Sequence, residues 1–153
     1  MTSMRIIALS ALAALVALAS TTTGANAGVE LTKPQYIAKA DALCRAADAK
    51  VTKLGPLFPA SRAAAVGGKV LAIDRSTLVA LRALTPPTSE RAAVAQLLRL
   101  ADIAINTGVA GAVAAAKSGQ TKAFYAAAKR AQMLIDKAHA AARSFGLSAC
   151  ASW

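Results

Sequence analysis

From Thr32 onward, apolar residues recur at steps of three and four, the spacing of one helix face. The first stripe is Tyr36, Ala40, Leu43, Ala47, Val51 and Leu54, with Ile37 and Cys44 at its edge. Thr32-Lys33-Pro34-Gln35 reads as a capping box with Pro in the first turn, where its missing N–H has no helical partner anyway. Gly55-Pro56 closes the segment, so the pattern predicts a helix over 33–54. The second stripe is Val66, Val70, Ile73, Thr77, Leu81 and Leu84, predicting a helix over 62–84 with Ser61 as its N-cap. Gly67-Gly68 interrupts it, and each glycine costs about 0.5–1 kcal/mol relative to Ala. A bend or a late start is expected there.

Thr85-Pro86-Pro87 cannot continue a helix. Thr88 or Ser89 is placed to cap a third helix over 90–117, with the stripe Val94, Leu97, Leu98, Ala101, Ile105, Gly108 and Ala112. Leu100 and Ile103 add a second apolar shoulder, which fits either deep burial or a partner surface. Gly108 and Gly111 would permit a close helix crossing. Arg99 and Asp102 interrupt the apolar run and leave it too short to span a membrane. Ser118-Gly119 ends this helix, and Thr121 can cap a fourth over 121–145. Phe124, Ala127, Ala128, Ala131, Leu134, Ile135, Ala138, Ala142 and Phe145 make its inner stripe; Gly146-Leu147 reads as a Schellman stop.

Four helices of similar length with short loops predict an all-α, up-down-up-down four-helix bundle. Cys44 stands about 16 Å along the first helix. Five extended residues beyond Phe145 reach about as far, so Cys150 can fold back onto Cys44. One disulfide is therefore expected, closing a loop of about 100 residues and contributing about 4.7 kcal/mol in the chain-entropy model. Trp153 is expected beside the bridge, covering it.

The N-terminus changes the picture of where the bundle works. Met1 to Arg5 is positive, Ile6 to Ala19 is uncharged and apolar, and Ala25-Asn26-Ala27 offers a small-residue cleavage site. That order is the layout of a secretory leader, expected to be cut after Ala27, leaving 28–153 as a single four-helix domain. Two cysteines in an exported chain again favour a disulfide. The full chain has 18 basic and 7 acidic side chains and a formal charge of +11. Loss of Arg5 with the leader leaves +10, one less than the full chain. Lys122, Lys129, Arg130, Lys137 and Arg143 fall on the outer face of the fourth helix. They form a candidate face for an anionic partner such as an envelope polymer or a lipid surface. Nucleic acid is set aside, because the leader directs the chain away from it and stacking aromatics are few.

Candidate chemistry is sparse. Asp41 and Arg45, four apart, are expected to pair on the surface. Asp74 falls inside the apolar arc of the second helix. It is expected to pair with Arg75, Arg82 or a neighbouring helix, or else to be a polar contact in a ligand groove. Cys44, Cys150 and the single His139 lack the spacing of a metal site. Met133 and His139 share one helix and cannot clamp a haem from two sides. No GxSxG, phosphate loop or dinucleotide fingerprint is present. Carboxylate chemistry would require at least two of Asp41, Asp48 and Asp74 at one cleft. No cofactor, metal or catalytic residue is predicted.

Tyr36-x3-Ala40-Asp41-x2-Cys44, Leu81-x2-Leu84-x-Pro86-Pro87 and Phe145-Gly146-Leu147-x2-Cys150 together resemble a group of small, Ala-rich exported proteins of actinobacteria. The resemblance implies a helical bundle with one cysteine in its first helix and one near its end, and carries no functional residues with it. The expectation is an exported, non-enzymatic bundle of the envelope or the exterior with an anionic partner. The alternative is a carrier of a small apolar ligand, which would require an apolar cavity.

Overall fold

The computed structural model describes residues 30–152; the expected leader over 1–27 and Trp153 lie outside the described residues. Among the described residues there are four helices and no strands. Helix α1 runs Lys33–Leu54, opened by both hydrogen bonds of the Thr32–Gln35 capping box. Helix α2 runs Ala60–Arg82. The third helix is continuous but composite. A 3₁₀ turn, Thr88–Glu90, leads into α3, Arg91–Ile103; a π-helical segment, Ala104–Val109, joins it to α4, Ala110–Lys117. Helix α5 runs Thr121–Phe145. Gly146 ends it in the left-handed conformation, its N–H bonded to Arg143 O and that of Leu147 to Ala142 O, the two bonds of a Schellman motif.

Several sequence expectations are corrected. Ser61 does not cap α2; Pro59 stands at the N-cap and no side chain caps it. Neither Thr88, Ser89 nor Thr121 supplies a side-chain cap. The Thr88 N–H instead donates to the Glu30 carboxylate, which this bond holds below the usual carboxylate range. Gly67-Gly68 causes no interruption. Gly67 is buried against Val113, where a Cβ would stand 2.6 Å from a valine methyl, so the missing side chain lets α2 approach α4. Gly108 does the same toward α5, lying against the Ala131 backbone, whereas Gly111 faces open space. The stretch Thr88–Lys117 is, contrary to expectation, long and apolar enough to cross a membrane by length and composition. Here it packs between α2 and α5. The Leu100 and Ile103 shoulder is half-buried.

The core is divided. One cluster gathers Tyr36, Cys44, Leu81, Val94, Leu97, Phe145, Leu147 and Cys150. A second joins Ala63, Ala112, Ala116, Phe124 and Ala127 with Leu57 packed against it. A third places Leu71 and Leu78 against Ile105 and Val113. Helix α1 packs along α2. It meets α5 through the edge-on contact of Tyr36 with Phe145, at 5.8 Å, and Lys33 over the Phe145 ring at 4.7 Å. The disulfide Cys44–Cys150 ties α1 to the tail, with Cα atoms 5.1 Å apart.

Candidate ligand cavity

The stripes that α1 and α5 turn inward are rich in alanine, and a methyl group cannot reach across a bundle. Where α1, α3 and α5 face one another, the lining includes Ala101, Ala104, Ala138 and Ala142. Glycine at 67 and 108 draws α2, the third helix and α5 together. The space left over is a cavity of about 260 Å³ reaching all four helices. Its floor is Val70, Asp74 and Leu81 of α2 with Leu97, Ala104 and Ile105 of the third helix, all buried save for the cavity. Its mouth lies between α1 and α5, where Asp48 is exposed and Val51, Ile135, Ala138 and His139 are half-buried. The disulfide closes one end and Leu57, from the α1–α2 loop, borders it as well. The π segment supplies Ala104, Ile105 and Val109 to the wall; such segments recur at functional sites because the extra residue re-aims the side chains around it.

Asp74 is 8% exposed, and it has no hydrogen bond or ion pair from the described residues. The cations expected to pair with it are engaged elsewhere: Arg75 Nε donates to Asn106 Oδ1 at 2.8 Å, and Arg82 pairs with Asp102 at 3.1 Å. Every fully buried side-chain N or O among the described residues has a partner. Asp74 has none among the described residues, so its carboxyl is open to the cavity it lines. Burial pushes this carboxyl up from 3.8 to about 6, because a charge removed from water without a partner is disfavoured.

Asp41 is the counter-example, and the expected surface pair with Arg45 is a misreading. The Asp41 side chain is buried and accepts four hydrogen bonds from the tail. These come from Ser148 N (3.1 Å), Ser148 Oγ (2.8 Å), Ala149 N (3.0 Å) and Cys150 N (3.3 Å). Burial alone would raise the carboxyl; the bonds from Ser148, Cys150 and Ala149 outweigh it and hold it below its ordinary value. Asp41 thus sets the turn that carries Cys150 to Cys44. Tail N–H groups at 148–150 are stranded beyond the Schellman stop, and an acidic residue one turn before Cys44 is the sequence signal that could have revealed their acceptor.

Of the other anticipated residues, Lys122, Lys129, Arg130, Lys137 and Arg143 are exposed along α5. None makes an ion pair among the described residues, although Arg143 donates to Ala151 O at 3.2 Å. Asp48 and Asp74 come to one cavity together with His139, while Asp41 stays with the tail. Among the described residues no group of three or more His, Cys, Asp or Glu is placed to hold a metal ion. No family model matches this chain, and no curated protein or solved structure matches it either.

Proposed function

We propose that this protein is a non-enzymatic binder of a small, largely apolar molecule, held in the cavity between α1 and α5. The observation that carries the reading is the cavity itself: about 260 Å³, walled by aliphatic side chains, with one buried carboxyl in its floor that has no partner among the described residues. Ligand sites commonly combine an apolar lining with a few polar groups that fix orientation. Asp48, Asp74 and His139 are also the groups an acid–base enzyme would employ. The lining otherwise offers no hydroxyl nucleophile and no lysine or arginine to stabilise developing negative charge, which favours holding over reacting. The leader over 1–27 would deliver the binder outside the membrane, where a disulfide persists. The up-down-up-down helix order belongs to the same reading, as does the likeness to small exported actinobacterial proteins. The test is calorimetric titration with 2-phenylethanol, a neutral one-ring probe. Saturable one-to-one binding is expected, lost in Ala138→Phe, which plugs the mouth from α5. Absence of binding to the wild-type chain, or equal binding to the plugged variant, refutes the reading.

The basic face of α5, which makes no ion pair among the described residues, favours a second role, loose attachment to an anionic envelope polymer or lipid surface. Retention on anionic vesicles should fall steeply with salt, since exposed charges are screened beyond about 10 Å at 0.1 M. Retention unchanged at high salt, or unchanged by reversing Lys129 and Arg130 to Glu, counts against it.

A further inference from the structure

We infer that the cavity's ligand is a small organic cation, an ammonium on a one-ring or short-chain apolar body, seated with the ammonium against Asp74. This rests on the cavity reading above and adds the charge of the occupant. Apart from the disulfide sulfurs, the lining is aliphatic save for three side chains. Asp74 comes from α2, Asp48 from α1 and His139 from α5. The third helix contributes only Leu97, Ala101, Ala104, Ile105 and Val109. No Lys or Arg lines the space, although the chain as a whole carries +11. A strongly basic protein therefore presents two carboxyl groups to this apolar cavity. Two arginines of the same helix, Arg75 beside Asp74 and Arg82 about two turns on, are held away by Asn106 and Asp102.

A carboxyl nine-tenths buried with no partner is costly to retain. A cationic ligand would bring the missing partner, and an ammonium offers up to three donors. A neutral ligand could donate a hydrogen bond to Asp74 but would leave its charge unbalanced, and an anion would meet two carboxyl groups. Size agrees. An engineered apolar cavity of about 150 Å³ takes up benzene, so the present volume has room for about ten non-hydrogen atoms.

The experiment is isothermal titration of the disulfide-bonded chain with three probes of one shape: 2-phenylethylamine, 2-phenylethanol and phenylacetate. At pH 7.5 the amine should bind at least tenfold more tightly than the alcohol, and phenylacetate more weakly than both. Because burial places the Asp74 carboxyl at about 6, the amine's affinity should fall about tenfold from pH 7.5 to pH 5, with the alcohol's unchanged. Asp74→Asn should abolish the amine preference while keeping alcohol binding and a cooperative thermal transition. Asp48→Asn should keep most of the preference. Equal affinity for amine and alcohol overturns the cationic ligand and leaves the cavity reading in place. No binding of any probe overturns both. An amine preference that survives Asp74→Asn overturns the assignment to Asp74.

Discussion

Asp74 works against folding at neutral pH. Its carboxyl stands at about 6 in the folded chain against 3.8 ordinarily. Between those values the folded state holds a proton that the unfolded state has released. The stability this group allows is therefore full below about 3.8 and is lost as pH rises through about 6. At about 1.4 kcal/mol per pH unit, the loss approaches about 3 kcal/mol by pH 8. Asp74→Asn is expected to exceed the wild type by about 2–3 kcal/mol in urea unfolding at pH 8 and to match it within about 0.5 kcal/mol at pH 4. Equal stability at both pH values would mean that the carboxyl is solvated. Asp41 has the opposite sign. Its lowered carboxyl contributes stability present above about pH 4 and lost as pH falls through its folded value. Asp41→Ala removes the acceptor of four tail hydrogen bonds and should cost about 2–4 kcal/mol at pH 7. The difference should shrink as pH falls through the carboxyl's folded value, as followed by chemical denaturation. In the sequence Asp74 falls inside an apolar arc and Asp41 reads as a surface residue, and nothing in spacing alone reveals that Asp41 caps a tail while Asp74 has no partner among the described residues. That distinction needs the position of a segment about a hundred residues away.

At the scale of elements, local chemistry was most legible where a short-range bond decides the matter. The Thr32–Gln35 capping box, the Gly55 and Gly146 stops, and the bounds of α1 and α5 follow from residues within a turn of each boundary. The glycines of α2 were misread because their reason lies on another helix. Gly67→Ala should be destabilising despite the better helix propensity of Ala, since the new methyl meets Val113. Gly111→Ala, on an exposed and open surface, should gain about 0.5–1 kcal/mol. Thermal melts of the two single variants check the pair, and shifts of the same sign would contradict the packing described. The π segment was equally hidden. The stripe from Ala101 to Ile105 to Gly108 fits an ordinary helix, and nothing in the spacing marks the widened turn at Ala104–Val109. The cavity was legible in part: alanines at Ala101, Ala138 and Ala142 occupy inward positions on facing helices, which leaves volume unfilled.

For the whole molecule, the disulfide and the cavity are coupled by position, because Cys44 and Cys150 both line the space. Reduction should free the tail, with a loss of up to about 4.7 kcal/mol in the chain-entropy model, and should weaken probe binding along with stability. A reduced chain that binds 2-phenylethanol as tightly as the oxidised one would separate the two. The all-α architecture and the Cys44–Cys150 bond were accessible from periodicity and reach. The division of the core into three clusters around a void was not, since it depends on how closely three helices approach and where the fourth stands off. The cavity is tested most directly by an NMR titration with 2-phenylethanol, observing alanine methyl groups. Intermolecular NOEs are expected from the probe to the methyls of Ala104, Ala138 and Ala142, saturating at one probe per chain. Saturation without those contacts, or perturbation confined to the outer face of α5, would rule out the cavity as the binding site.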